Sequence, residues 1–359
     1  MKKSYEMDMC NGPILGKILV FAIPLMISGI LQLLFNAADI VVVGRFTGSQ
    51  ALAAVGSTGA LINLIINLFI GVSVGANVVV ARNYGAKDYD GIHGAVHTSI
   101  LAAVWGGVIL IFAGILLARP MLEIMGTPED VIDLSVLYMR IYFVGMPAFM
   151  LYNFGAAILR AIGDTKRPLY FLTLSGVVNV VLNLFFVIAF HMGVAGVALA
   201  TIISQAISAF LVILCLVKMD GPCHLDFKQL KFHPDQLKLM LRIGLPAGLQ
   251  GTIFSISNVL IQSSVNSFGS QVMAGNTAAG NIEGFVYNSM NAVYQTSLSF
   301  TSQNMGAKKF DRVNKILLQC LLVVSAIGLL MGGGAYLLGE PLLGIYTSSA
   351  EVISYGMIR

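Results

Sequence analysis

Runs of about twenty or more apolar residues recur along this chain, each long enough to cross the hydrocarbon core of a bilayer. They lie near residues 16–43, 55–80, 93–117, 133–156, 168–190, 194–217, 240–265, 276–300 and 315–338, and a tenth begins near Val352. Unpaired backbone amides cost several kcal/mol in lipid, so each run is expected to be a helix. The composition agrees: 57% apolar and 11% charged, where a soluble domain carries roughly a quarter charged residues. The first run is too long for a signal peptide's apolar core and lacks a small-residue cleavage site, so it reads as a retained span.

Charge sets the direction. Of 21 Lys and Arg, 17 fall on the side that carries the N-terminus, among them Lys17, Arg82, Lys87, Arg160, Lys166, Arg167, Lys308, Lys309 and Arg312. Only Arg45 and Arg119 fall opposite. This positive-inside bias predicts a multi-pass protein of the cell's inner (plasma) membrane with a cytoplasmic N-terminus. A formal charge of +4 spread over membrane edges gives no stripe for nucleic acid. Four cysteines without ligand spacing indicate neither redox nor metal chemistry. No cofactor, and no enzyme, is expected.

The chain also repeats itself at a distance of 221 residues. Asn83-Tyr84-Gly85-Ala86-Lys87 returns as Asn304-Met305-Gly306-Ala307-Lys308, Gly48-Ser49-Gln50 as Gly269-Ser270-Gln271, and Pro120 as Pro341. Six spans precede the polar stretch Met219–Lys238, an even number, so the second copy enters the membrane from the same side. The expected fold is an all-α polytopic membrane protein of two parallel-repeat six-helix bundles, the second incomplete. Residues 1–218 form the first bundle, 219–238 a cytoplasmic linker, and 239–359 spans seven to nine with the start of ten. A second half of six spans would need about 90 more residues than are present, so the chain reads as truncated at its C-terminus. The repeated Asn-x-Gly-Ala-Lys follows a helix, and Gly85 and Gly306 are expected to cap it in left-handed conformation. It lacks the glycine spacing of a phosphate loop, which excludes an ATPase on this motif. Pro24 and Pro246, early in spans one and seven, each remove a helical amide and predict a kink.

Asp39 stands out as an ionisable group inside the first span. Burial there is costly unless the carboxylate faces a polar cavity, which marks it as a candidate ion or proton site. The plainer reading pairs it with Arg45, six residues on and badly phased on one helix. Asn179 and Asn183 lie four apart, on one face of span five, and Thr201 in span six adds an oxygen. Such hard oxygens suit a small cation, although interhelical packing uses the same groups. Asn36, Asn63, Asn67 and Asn77 in the first half, with Gln250, Asn258, Gln262, Asn281, Asn288 and Gln295 in the second, are candidates to line a central cavity. Glu283 is the acidic residue of the second half's complete spans and a candidate contact for a cationic substrate. Tyr152, Phe154, Met290 and Tyr294 could soften such a cavity, and core packing explains them equally well.

These residues resemble the multidrug and toxic compound extrusion (MATE) family of secondary transporters. The resemblance rests on Ile23-Pro24, on Asp39 followed by Val43-Gly44-Arg45, on Ala51 to Gly56, and on Arg82 to Lys87. It continues through Arg160-Ala161-Ile162-Gly163-Asp164-Thr165-Lys166-Arg167-Pro168 and Gly193 to Thr201, and so covers essentially the whole chain. It implies twelve spans in two bundles, and export of small amphipathic, mostly cationic drugs or metabolites against inward flow of sodium ions or protons. It also implies that Asp39 is the first-span carboxylate tied to coupling, with Asn179 and Thr201 beside it. Asn183 stands where many members hold an aspartate. Ser255 stands nearest to a span-seven glutamate that some members use. Coupling through the first bundle is therefore expected, in a monomer whose other partner is membrane lipid. A flippase for a lipid-linked precursor is the alternative, but it would want a cationic cavity that the central spans do not supply.

Overall fold

The computed structural model describes every residue except 1–4, 267, 269, 347 and 348, and within helices leaves out the side chains of 49, 57, 259, 262, 263, 266, 270 and 273. Long helices run Ile14–Phe46 (α1), Ser49–Ala86 (α2), Tyr89–Ile124 (α3), Glu129–Val144 (α4), Met146–Ala161 (α5), Lys166–Leu184 (α6) and Gly193–Lys218 (α7). After an irregular stretch come Pro234–Asn266 (α8), Ser270–Gly306 (α9) and Phe310–Ile327 (α10). The short helices Gly333–Leu337 (α11), Gly339–Gly344 (α12) and Ala350–Ile358 (α13) follow. Among the described residues there is no strand.

Local chemistry explains several boundaries. Asp88 caps α3 by accepting from Gly91 N at 2.9 Å. Glu129 and Asp130 occupy the first turn of α4, where the helix dipole favours acids. The span expected at 133–156 is two helices bent by 49°. Gly145 ends the first, and Pro147, which has no amide to donate, opens the second. α1 and α8 instead continue through Pro24 and Pro246.

Among the described residues, seven helices are long and apolar enough to cross a membrane, or eight with the bent pair taken as one span. α9 has 37 residues but is too polar to join them, unlike the span expected at 276–300. Its polar side chains turn back onto their own helix: Asn288 donates to Gly284 O, Ser289 to Phe285 O and Thr296 to Ala292 O. Its other polar residues divide: Ser299, Ser302, Gln303 and Asn304 are buried, whereas Thr277, Asn281 and Glu283 are exposed.

The 221-residue spacing is visible in the elements. α8 and α9 begin within one residue of where α1 and α2 predict. The two copies cross through glycines. A Cβ on Gly71 would lie 2.3 Å from Gly248 N, and one on Gly75 2.2 Å from Met240 O, so α2 and α8 touch backbone to backbone. The repeated motif makes a matched pair. A Cβ on Gly85 would sit 1.9 Å from Gln303 O, and one on Gly306 1.9 Å from Arg82 O. The left-handed position expected at these glycines falls two residues later, at Lys87 and Lys308, both at φ +56°. The glycines are there for close approach of α2 and α9, not for the turn. A second contact layer joins α1, α9 and α10, with Phe21 edge-on to Phe300 at 5.6 Å.

Candidate functional site

α1 and α6 run side by side because Gly176 admits the ring of Phe35, which a Cβ there would meet at 1.9 Å. One turn further along α1, half-buried Asp39 accepts a short hydrogen bond from Asn183 Nδ2. Asn183 Nδ2 also reaches Asn179 Oδ1 at 3.3 Å, as the four-residue spacing predicts. Asn179 Nδ2 donates to Thr201 Oγ1 of α7 at 3.4 Å, and Thr201 donates onward to Val197 O. Asp39, Asn179, Asn183 and Thr201 thus form one connected chain across three helices. No described ion pair joins Asp39 to Arg45.

One atom in this chain is left over. Asn183 is fully buried, yet its Oδ1 has no hydrogen-bond partner. A buried acceptor without a donor costs about 1–3 kcal/mol, so it calls for an explanation. With the Asp39 carboxylate, it gives the site an excess of acceptors over donors, and a cation or proton would balance it. Among the described residues no three His, Cys, Asp or Glu side chains group as a metal site. Any cation here would rely on one carboxylate plus amide and hydroxyl oxygens. The last regular turn of α6 passes into a π-helical turn at Phe185–Ala189, a local irregularity common near functional sites.

Sequence reasoning did not single out Tyr138 and Tyr142. They lie one turn apart on α4, centroids 5.9 Å apart, Tyr138 buried and Tyr142 partly buried, both within electrostatic reach of Asp39. Tyr142 and Thr201 share the wall of a narrow crevice with Met146, Phe149 and Ile202. Nothing in an aromatic residue inside an apolar run distinguishes such a role from core packing. Only their one-turn spacing was available as a signal.

Among the described residues, no hydrogen bond joins the proposed cavity residues to one another. Asn67 bridges the two halves, donating to Ser255 Oγ at 2.9 Å and Gly251 O at 3.4 Å. Asn36, Asn63 and Asn258 are exposed, and no described hydrogen bond joins them. The side chain of Gln262 lies outside the described residues. Exposed Glu283 is paired with Arg359 at 2.6 Å instead of standing free for a substrate. Asn77 is a packing bridge, donating to Ala157 O and accepting from Ser299 Oγ of the other half. Tyr152 and Phe154 are core residues.

Comparison with known proteins places this arrangement. The MatE family profile matches residues 24–185 and 246–358, one block in each half. The chain is 31% identical over 341 residues to "Probable multidrug resistance protein YoeA" of Bacillus subtilis, covering 93% of this chain and 74% of that protein. It is 24% identical to "Probable multidrug resistance protein NorM" of Thermotoga maritima over 94% of this chain and 73% of that one. A solved structure described as "Outward-facing conformation of a multidrug resistance MATE family transporter of the MOP superfamily" superposes with a TM-score of 0.91 at 25% identity. That match covers 100% of this chain and 80% of the other. The expected C-terminal truncation is not borne out by these matches. With both halves matched by one profile and the fold shared along its length, the chain belongs to the multidrug and toxic compound extrusion (MATE) family of multi-pass membrane transporters.

Proposed function

We propose that this protein exports amphipathic, mostly cationic small molecules in exchange for an inward-moving sodium ion or proton. The observation that carries the reading is the acceptor-rich chain around Asp39, with the orphaned Asn183 Oδ1 inside it. A proton entering there would neutralise the carboxylate. A sodium ion would displace the Asn183 amide group from Asp39 and draw its free oxygen inward. Either event changes what holds α1 to α6, and a ligand can shift a conformational equilibrium only through such differential contacts.

The drug-export half of the proposal is supported by relatives named as multidrug resistance proteins. The mechanism we propose is alternating access between two like-oriented halves, in which the cation favours one arrangement and the drug the other. We place the chain in the inner membrane with its Lys- and Arg-rich face in the cytoplasm, acting as a monomer among lipids. Residues 1–218 and 239–359 are the moving units in this reading, with 219–238 as their tether.

The test is Asp39→Asn, correctly inserted, in energised vesicles loaded for efflux of a fluorescent cation. Uphill export should be lost. Ionophores that separately collapse the sodium and proton gradients then identify the ion in the unaltered protein. Unchanged uphill export by Asp39→Asn overturns the assignment.

A further inference from the structure

Residues 5–12, ahead of α1, have no helical structure but are held on both sides. Toward the first half, Met7 N donates to Ile162 O at 3.3 Å, and Tyr84 donates its hydroxyl to Glu6 at 3.0 Å. Gly163, at φ +95°, leaves room for Met7, whose backbone N a Cβ there would meet at 2.6 Å. The Arg167 guanidinium lies 5.2 Å from the centre of the Tyr5 ring. Toward the second half, Asn304 Nδ2 donates to Met9 O at 3.1 Å, Lys309 Nζ to Cys10 O at 3.0 Å, and Arg312 Nη1 to Gly12 O at 3.2 Å. The Met9 side chain is fully buried in the layer formed by Phe21, Phe300 and Ile316.

The repeat supplies the second observation. Shifted by 221 residues, 5–12 becomes 226–233, the last part of the segment between α7 and α8. That segment packs on α3 of the first half: Asp226 N donates to His97 Nε2 at 3.2 Å, and His233 N to Thr98 Oγ1 at 3.0 Å. α3 and α10 are themselves counterparts. Each copy therefore sends its leading strap across to the other, and the two crossings are reciprocal. They differ in one respect. The strap 226–233 is spliced between α7 and α8, whereas 5–12 leads into α1 and holds the second half through non-covalent contacts, among them those just described.

We propose that residues 5–12 are a latch that fastens the two halves at this face and must leave α9 and α10 before the halves can part there. The proposal rests on the alternating-access reading, and it adds the element that holds one state. The polar grip is made by the Asn304 amide and the Lys309 and Arg312 cations on strap backbone carbonyls, with Lys309 Nζ also reaching Asn11 Oδ1 at 2.6 Å. Release and reclosure thus require no refolding of a helix.

Cys10 is a built-in reporter. It is half-buried with its thiol against Gln303 Oε1, and burial, reinforced by Asp8, pushes the thiol pKa up, which slows its alkylation. In the full chain with Cys215, Cys223 and Cys320 replaced by Ser, maleimide should label Cys10 slowly. Arg312→Ala and Asn304→Ala should each speed labelling about tenfold or more, and Arg312→Lys should restore part of the protection. In a cysteine-free background, spin labels at the exposed counterparts Lys87 and Lys308 should move apart when Arg312→Ala is added. Fast labelling of the parent protein, or an unchanged spin-label separation in the variant, overturns the latch. Neither readout depends on transport, so a latch that fails leaves the coupling proposal standing, and the reverse also holds.

Discussion

At the scale of single residues, the site was legible wherever cost betrays purpose. A carboxylate in an apolar run is expensive, and that alone marked Asp39. The four-residue spacing of Asn179 and Asn183 placed both amides on one face, where they now bond each other. Tyr138 and Tyr142 were not legible, because an aromatic in a membrane helix costs nothing and so signals nothing. Asn77 shows the opposite failure. Its amide looks like a cavity lining in the sequence, yet it is spent on Ala157 and Ser299. Asn183 is the residue on which the site turns, since it is the donor to Asp39 and also carries the orphaned acceptor. A hydrogen bond to a charged group contributes about 1.5–3 kcal/mol, so Asn183→Ala should lower the efflux rate by about 10- to 100-fold. Insertion and fold should survive, because the change removes the free acceptor along with the donor. Efflux at the parent rate, from vesicles holding equal amounts of protein, would remove Asn183 from the site.

At the scale of elements, helix number and placement follow from lipid, which leaves the backbone no alternative. What the sequence hid was how helices meet. The Asn-x-Gly-Ala-Lys repeat is a case in point: glycine after a helix suggests a left-handed cap, and the cap falls instead on Lys87 and Lys308. The glycine positions are occupied by the carbonyls of Gln303 and Arg82. The break at Gly145 was overlooked for a related reason, since its glycine and the nearby Pro147 sit inside an apolar run that reads as one span. The two roles in the motif separate by substitution. Gly85→Ala drives a methyl into a backbone carbonyl and should destabilise the protein by about 1–3 kcal/mol, as overpacking does. Lys87→Gly relieves a left-handed residue whose conformation costs about 1 kcal/mol, and should leave stability equal or slightly raised. Thermal unfolding in one detergent ranks the variants, and the reverse order would return the capping role to Gly85.

At the scale of the whole molecule, two copies of one unit do not make two equal seams. Along α2 and α8, glycines on both sides bring backbones together, at Gly71 and Gly75 against Gly244 and Gly248. The matching positions along α1 and α9 are Ile23, Ile27, Ala292 and Thr296; Ile23 and Ile27 are exposed, and side chains such as Phe21 against Phe300 join that seam. Side-chain contacts can part and reform more readily than interlocked backbones, and α1 is also the helix that carries Asp39. The seam between α1 and α9 is therefore where a change at Asp39 should be felt by the second half. Gly29 and Asn288 face each other across it, and a Cβ at Gly29 lies 3.2 Å from Asn288 Cβ. That is slightly closer than the roughly 3.5–4.5 Å of a relaxed disulfide, within reach of a small adjustment. In a background lacking the native cysteines, Gly29→Cys with Asn288→Cys should form a bridge under oxidant and stop export of a fluorescent cation. Reductant should restore it, and each single cysteine should export under both conditions. If the fully bridged protein exports at the reduced rate, the halves do not separate along α1, and motion must be sought along the glycine-lined seam instead.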